Sequence, residues 1–171
     1  MKMKRRQFLA TSTAALAFPF VGRVLGANAK LNIGVVGVAG RGAGNLKGVS
    51  GENIVALCDV DSSRLAGAAK QFPKAKTYRD FRRMLERQDL DAVVCSTPDH
   101  THAIVGVSAL KNGRHLYCEK PLAHTVSEVR AMTVAAAKHK RATQMGTQIH
   151  ARNNYRRVVE LVQSGAIGAV K

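Results

Sequence analysis

The chain alternates between two hydrophobic rhythms. Leu31 to Gly37 is a nearly continuous apolar run closing on glycine, and Asn53–Cys58 and Asp91–Cys95 repeat it. Short unbroken runs of this kind mark strands buried on both faces. His115–Cys118 and Ala142–Gly146 are weaker runs of the same type. Between the runs, apolar residues recur at helical spacing. Asp61–Phe72 puts Leu65, Ala68, Ala69 and Phe72 on one face, and Arg79–Arg87 aligns Phe81, Met84 and Leu85. Ala103, Ile104, Val107 and Leu110 share a stripe that ends at Asn112-Gly113, a C-cap signal. Ser127–Lys138 turns Val129, Met132 and Ala136 inward. This alternation of strand and helix predicts an α/β fold, a doubly wound parallel sheet with right-handed crossovers.

The rhythm changes near the carboxyl end. Asn154–Gln163 predicts a helix with Tyr155, Val158, Val159 and Val162 on one face, and Ser164-Gly165 ends it. Ala166–Lys171 is expected to open another strand. A strand start without a partner reads as a second unit cut short.

Composition narrows the class. The 171 residues carry 27 Lys plus Arg against 11 Asp plus Glu, a formal charge of +16, with 46% hydrophobic residues. That is globular composition, and it excludes a disordered chain, a collagen, a coiled coil and a disulfide-rich mini-protein. Three cysteines, Cys58, Cys95 and Cys118, each fall near the end of a predicted strand. An odd number at these spacings is no disulfide framework, and small buried hydrophobes are the expectation.

Part of the positive charge has a separate origin. Lys2, Lys4, Arg5 and Arg6 precede an uncharged stretch from Gln7 to Gly22, and Ala27-Asn28-Ala29 offers a small-x-small cleavage site. This is the layout of a secretory signal, too short for a stable membrane span. Arg5-Arg6 followed by Gln7-Phe8-Leu9 resembles the twin-arginine export motif. Residues 1–29 are therefore expected to address the protein to the twin-arginine export machinery, which passes folded proteins, and the location is expected to be periplasmic or otherwise extracytoplasmic. No later apolar stretch approaches the length of a membrane span.

The chemistry starts at the first turn. Gly37-Val38-Ala39-Gly40-Arg41-Gly42 lies between the first strand and its helix. The dinucleotide fingerprint G-x-G-x-x-G fits with Gly37, Ala39 and Gly42 in its three places. Ala39 crowds the position where backbone approaches a pyrophosphate, Gly40 relaxes the turn, and Arg41 adds charge. Helix N-terminal N–H groups would hold the phosphates. Asp59 follows 22 residues after Gly37, directly after the second strand. An acid there hydrogen-bonds the adenosine ribose and repels a 2′-phosphate, which favours NAD while leaving NADP possible. Its bland alternative is a helix N-cap, a role for which Asp61 competes.

Two loops follow later strands. Ser96-Thr97-Pro98-Asp99-His100-Thr101-His102 lies where ligands bind in open sheets, with Pro98 suited to a first helical turn and Thr97 to its cap. No metal site is expected from His100 and His102, because no acid or thiol stands nearby in sequence to complete a set. Cys118-Glu119-Lys120-Pro121 ends the next strand, and a lysine there can position a hydroxyl or move a proton.

Together these segments resemble the Gfo/Idh/MocA family of oxidoreductases, the relatives of glucose–fructose oxidoreductase and inositol dehydrogenase. The matched pieces are Gly34–Gly42, Cys58–Asp61, Tyr78–Phe81, Thr97–His102, Glu119–Pro121, Gly146–Gln148 and Gly165–Gly168, in family order. The resemblance implies a Rossmann domain over 30–148 and, over 149–171, only the start of the family's second α+β domain, which carries substrate and oligomer contacts. It implies that Gly37, Ala39, Gly40, Arg41 and Gly42 form the dinucleotide loop, with Asp59 at the ribose. Ser96, Thr97, Pro98 and His102 would line the cofactor cleft. Lys120 would be catalytic, touching nicotinamide and substrate beside Glu119, and Gln148 would stand near the substrate. The implied reaction moves hydride between NAD and a CH–OH carbon of a sugar or polyol, in a homo-oligomer of the longer protein. The fragment alone is expected to lack a complete active site.

Three other readings compete. An NAD-dependent glycoside hydrolase shares the fold, and a non-catalytic nucleotide-binding remnant would share the loop. A polyanion binder would use Arg82-Arg83, Lys138, Lys140-Arg141 and Arg156-Arg157. These are scattered over several helices without interleaved aromatics, so no nucleic-acid partner is expected.

Overall fold

In the computed structural model, residues 29–147 and 153–169 are described. The twin-arginine expectation, with its cleavage site up to Asn28, and Gln148 lie outside them. Six strands and six helices follow in order: β1 (Asn32–Val36), α1 (Arg41–Gly48), β2 (Asn53–Cys58), α2 (Ser62–Gln71), β3 (Lys76–Tyr78), α3 (Phe81–Leu85), β4 (Ala92–Cys95), α4 (His102–Lys111), β5 (His115–Glu119), α5 (Val126–His139), β6 (Thr143–Gly146) and α6 (Asn153–Gln163). A 3-10 turn, Asp99–Thr101, leads into α4.

The strands form one parallel sheet in the order β3-β2-β1-β4-β5-β6. The order reverses between β1 and β4, and in open α/β sheets ligands bind outside the strand ends at such a switch point. Alternate strand residues feed two separate cores. Ile33, Val35, Ile54 and Leu57 pack with Leu46, Leu65 and Ala68 on one side. Val36, Ala56, Val93 and Cys95 pack with Met84, Leu110 and Met132 on the other. This is why the strands read as unbroken apolar runs. Leu57, Met84 and Leu110 are fully buried, each contributing roughly 1.5–3 kcal/mol relative to exposure.

Local chemistry sets the helix ends. Asp61 caps α2, accepting from the backbone N–H groups of Ser63 and Arg64. Thr125 and Glu128 close a reciprocal capping box on α5. Gly113, at φ 77°, ends α4 as Asn112-Gly113 predicts.

Several expectations need correction. The Arg79–Arg87 helix shortens to Phe81–Leu85, because Asp80 caps it from an extended conformation while Arg79 reaches back to the Val60 carbonyl. Strand β3 is an edge strand of three residues with little burial, too short to leave a hydrophobic signature. Ile104 points outward, while Val105, Gly106 and Ala109 are buried instead, because α4 packs against both the sheet and α5. Thr97 makes no capping hydrogen bond, and Pro98 itself occupies the cap position of the 3-10 turn. Residues 164–167 form a turn rather than a strand, with Gly165 at φ 74° and Gly168 at φ 78°. Helix α6 forms as predicted, but its apolar face is exposed: Tyr155, Val158, Val159 and Val162 all meet solvent.

Candidate functional site

A cleft of about 600 Å³ opens at the carboxyl ends of β1, β2 and β4. Gly37, Ala39, Asp59, Ser96, Thr97 and Pro98 all line it. The β1–α1 turn is shaped by close backbone approach. Gly37 sits at φ 82°, and a Cβ there would come 2.6 Å from the Ser96 carbonyl oxygen. A Cβ on Gly42 would overlap the Gly37 carbonyl itself. These are the first and third glycines of the fingerprint, one for the turn and one for helix–strand packing. Gly40, at φ 55°, has open space where a Cβ would stand, so room remains above the turn beside Ala39.

Asp59 is half-buried at the floor of the cleft. Its Oδ2 accepts from the Val38 N–H at 3.0 Å and its Oδ1 from the Asp61 N–H at 3.0 Å. It therefore ties the glycine loop to the end of β2, and the capping role falls to Asp61. Arg64 and Arg79 also border the cleft, Arg64 paired with Asp61 at 3.3 Å. Asp80, on the same wall, is held down to about 2 by the bonds it accepts from the Arg82 side chain and backbone.

A second group lies alongside. Glu119, 4% exposed, accepts from Arg41 Nε at 3.0 Å and from Asn45 Nδ2 at 2.9 Å. Asn45 also donates to Ser96 Oγ at 2.8 Å, and the Tyr117 hydroxyl reaches Glu119 at 3.2 Å. Burial pushes the Glu119 carboxyl up, yet the bonds from Asn45 and Arg41 outweigh it and hold the group below its usual range. Asn45 was missed by sequence reading. Its signal was slight: a polar residue at a helix position that the packing buries.

Lys120 follows Glu119 directly and is exposed, joined to Pro121 by a cis peptide bond. His102 departs from expectation. It is 1% exposed and lies under the cleft rather than lining it. His102 Nδ1 is 2.7 Å from the Pro121 carbonyl oxygen and Nε2 is 2.8 Å from that of Thr97, so one ring spans both loops. His100 is exposed and faces Asp99. Cys95 and Cys118 are register partners on adjacent strands, and with His102 their side-chain S and N atoms all lie within 4.8 Å. Cys58, on β2, is a separate buried thiol that burial pushes up to about 12.

Comparison with known proteins agrees with this geometry. The model of the GFO_IDH_MocA family, described as an oxidoreductase family with an NAD-binding Rossmann fold, matches residues 31–147. An inositol 2-dehydrogenase of Salmonella paratyphi B is 31% identical over 144 residues, covering 81% of this chain and 43% of that protein. A glycosyl hydrolase family 109 protein of Shewanella pealeana is 27% identical over 202 aligned positions, covering 98% of this chain and 44% of that protein. The crystal structure of scyllo-inositol dehydrogenase from Lactobacillus casei, with bound cofactor NAD(H) and scyllo-inositol, superposes with a TM-score of 0.73 at 26% identity. That match covers 81% of this chain and 42% of the other. The chain thus spans less than half the length of these relatives.

Proposed function

Because the chain belongs to the Gfo/Idh/MocA oxidoreductase family, whose Rossmann fold binds NAD, we propose that residues 30–148 are the nucleotide-binding domain of a sugar or polyol dehydrogenase. Residues 149–171 then begin its substrate and oligomerisation domain, and the working enzyme is a homo-oligomer of the longer protein. One observation carries this reading: the cradle at the switch point, where Gly37 and Gly42 leave no room for side chains and Gly40 leaves open space, with Asp59 beside it. Those residues fit a dinucleotide. NAD, when bound, supplies hydride exchange with a CH–OH carbon, and the protein aligns and polarises the reactants.

The residues divide the work by position. N–H groups at the start of α1, with Gly37, Ala39, Gly40 and Gly42, receive the pyrophosphate, and Arg41 adds charge. Asp59 keeps lone pairs for ribose hydroxyls and disfavours a 2′-phosphate, so NAD is preferred. Arg64 and Arg79 on the same rim are the groups that would accommodate NADP. Ser96, Thr97 and Pro98 wall the cleft, His102 supports it from beneath, and Glu119 orients Arg41. Lys120 holds the substrate hydroxyl and moves its proton, and Gln148 approaches the substrate.

We also propose that residues 1–29 direct export by the twin-arginine route after folding, which places the protein in an extracytoplasmic compartment. No helix among the described residues is long and apolar enough to cross a membrane. Of the basic groups, Arg82 and Arg83 are paired with Asp80 and Glu86, which favours surface charge balance over a polyanion site. A second reading, an NAD-dependent glycoside hydrolase, is favoured by the relative from Shewanella pealeana, which aligns along 98% of the chain.

Calorimetric titration of the full chain with NAD and NADP tests the proposal. Saturable binding, tighter for NAD, is expected. No binding by a chain that circular dichroism shows to be folded would overturn it.

A further inference from the structure

A neutral imidazole cannot make the contacts of His102. Both ring nitrogens face backbone carbonyl oxygens, Pro121 at 2.7 Å and Thr97 at 2.8 Å. A carbonyl only accepts, and neutral histidine has a single N–H. One nitrogen of a neutral ring would set its lone pair against a carbonyl lone pair, in a place 1% exposed. Both contacts are hydrogen bonds only when both nitrogens carry protons. The ring is then a buried cation, and a buried charge persists only beside a compensating partner.

A compensating partner lies close by. Cys95 is 0% exposed, and its Sγ lies within 4.8 Å of the ring and of Cys118 Sγ. Thr97 Oγ1 sits 3.4 Å from Cys95 Sγ, within hydrogen-bond reach of the sulfur. The Cys118 hydrogen bond, against the opposing effect of burial, pulls the Cys95 thiol down to about 7, with Thr97 and His102 helping. Cys118 is pushed up correspondingly. The other charged groups nearby are engaged elsewhere. Glu119, which faces Cys118, is bonded to Arg41 and Asn45, and Asp99 faces His100 and His124.

We propose that His102 is a buried imidazolium, neutralised by the Cys95 thiolate, and that it is a positioning residue clamping the Thr97 loop to the Lys120-Pro121 loop. A single cation fixes two walls of the cleft from behind, each through a charge-assisted bond. The two ring protons follow from the two carbonyl contacts. What the clamp positions rests on the cofactor reading above.

Nuclear magnetic resonance of the full chain labelled with ¹⁵N-histidine tests the ionisation directly. At about pH 8 an unperturbed imidazole is neutral. His102, assigned by its loss in His102→Asn, is expected to show both ring nitrogens protonated. A single protonated nitrogen at that pH would overturn the proposal. Far-ultraviolet absorbance gives an independent readout: a thiolate step near pH 7 is expected in the parent chain and absent in Cys95→Ser. A step unchanged by that substitution also overturns it. If Cys95→Ser fails to fold, the parent chain's nitrogen signals still decide.

The clamp itself is read from NAD titrations across pH. His102→Asn is expected to bind about tenfold more weakly, as for loss of a charged hydrogen bond. In the parent chain affinity should not fall as pH drops through about 7, because a proton taken up by Cys95 leaves both ring protons on His102. An NAD affinity in His102→Asn equal to that of the parent chain would overturn the positioning role. Total absence of NAD binding would instead fail the cofactor reading, while the ring nitrogens still report the charge.

Discussion

Glu119 at the end of β5 holds Arg41 at the start of α1 through a 3.0 Å ion pair, joining residues 78 apart in the chain. The pair is lopsided, since Arg41 has half its side chain in solvent and Glu119 almost none. Removing Glu119 strips the buried Asn45 amide of a partner, whereas removing Arg41 leaves the buried Glu119 carboxylate without its cation. Glu119→Ala should therefore cost about 1–3 kcal/mol in urea unfolding. Arg41→Ala should also lower stability, because the buried carboxylate loses its cation, and it should weaken NAD binding as well. An Arg41→Ala variant as stable as the parent chain would show that the buried carboxylate does not need its cation.

The same carboxylate predicts an acid response. Its folded-state pKa lies below the ordinary value of 4.5, so the unfolded chain binds the proton more readily. Its stabilisation is present above that ordinary value and is lost as pH falls through the lower folded value. Thermal melts taken down an acid series should show declining stability below about 4.5, and Glu119→Gln should remove part of that slope. A slope unaltered by the substitution would assign it to other carboxylates.

Asp59 should separate the two dinucleotides. Asp59→Ala is expected to weaken NAD binding by about tenfold and NADP binding less, because only NAD exploits an acceptor at the ribose 2′-hydroxyl. It should also lower stability, since the N–H groups of Val38 and Asp61 lose their acceptor. An unchanged NAD to NADP ratio in calorimetry would sink the ribose assignment.

The glycine frame can be read by two opposite substitutions. Gly42→Ala forces a Cβ into the Gly37 carbonyl and should cost about 1–3 kcal/mol as well as dinucleotide affinity. Ala39→Gly clears space at the cradle and should leave affinity equal or improved. A large loss from Ala39→Gly would mean that the frame is misplaced.

Away from the cleft, Thr125→Ala breaks the capping box of α5 and should cost about 1 kcal/mol without changing NAD affinity. A parallel loss of affinity would show that α5 packing reaches the site.

Much of the architecture was legible because it is local. The apolar runs at Ile33–Val36, Ile54–Cys58 and Val93–Cys95 can only be strands covered on both faces, and the capping acid Asp61 and the Gly113 stop are written within a few residues of what they control. The fingerprint glycines were legible for the same reason. Three-residue β3 was not, because an exposed edge strand buries too little to require a pattern. Ile104 misled because α4 is covered on two sides, which broadens its buried face beyond one stripe.

The chemistry of the cleft depends on distance in space. Sequence placed Asp59, Ser96, Thr97 and Pro98 at strand ends, and strand ends of one parallel sheet converge, so their shared cleft followed. It could not show that Asn45 would bridge Ser96 and Glu119 across 51 and 74 residues, nor that His102 would turn away from the cleft to span Thr97 and Pro121. Periodicity and turn residues act along the chain, and by themselves they determined the sheet, its helices and the loop that opens the site. Hydrogen bonds and charge pairing act through space, so only the packed sheet, which sets Cys95 beside Cys118 in register, decided which buried groups meet and what charge they carry.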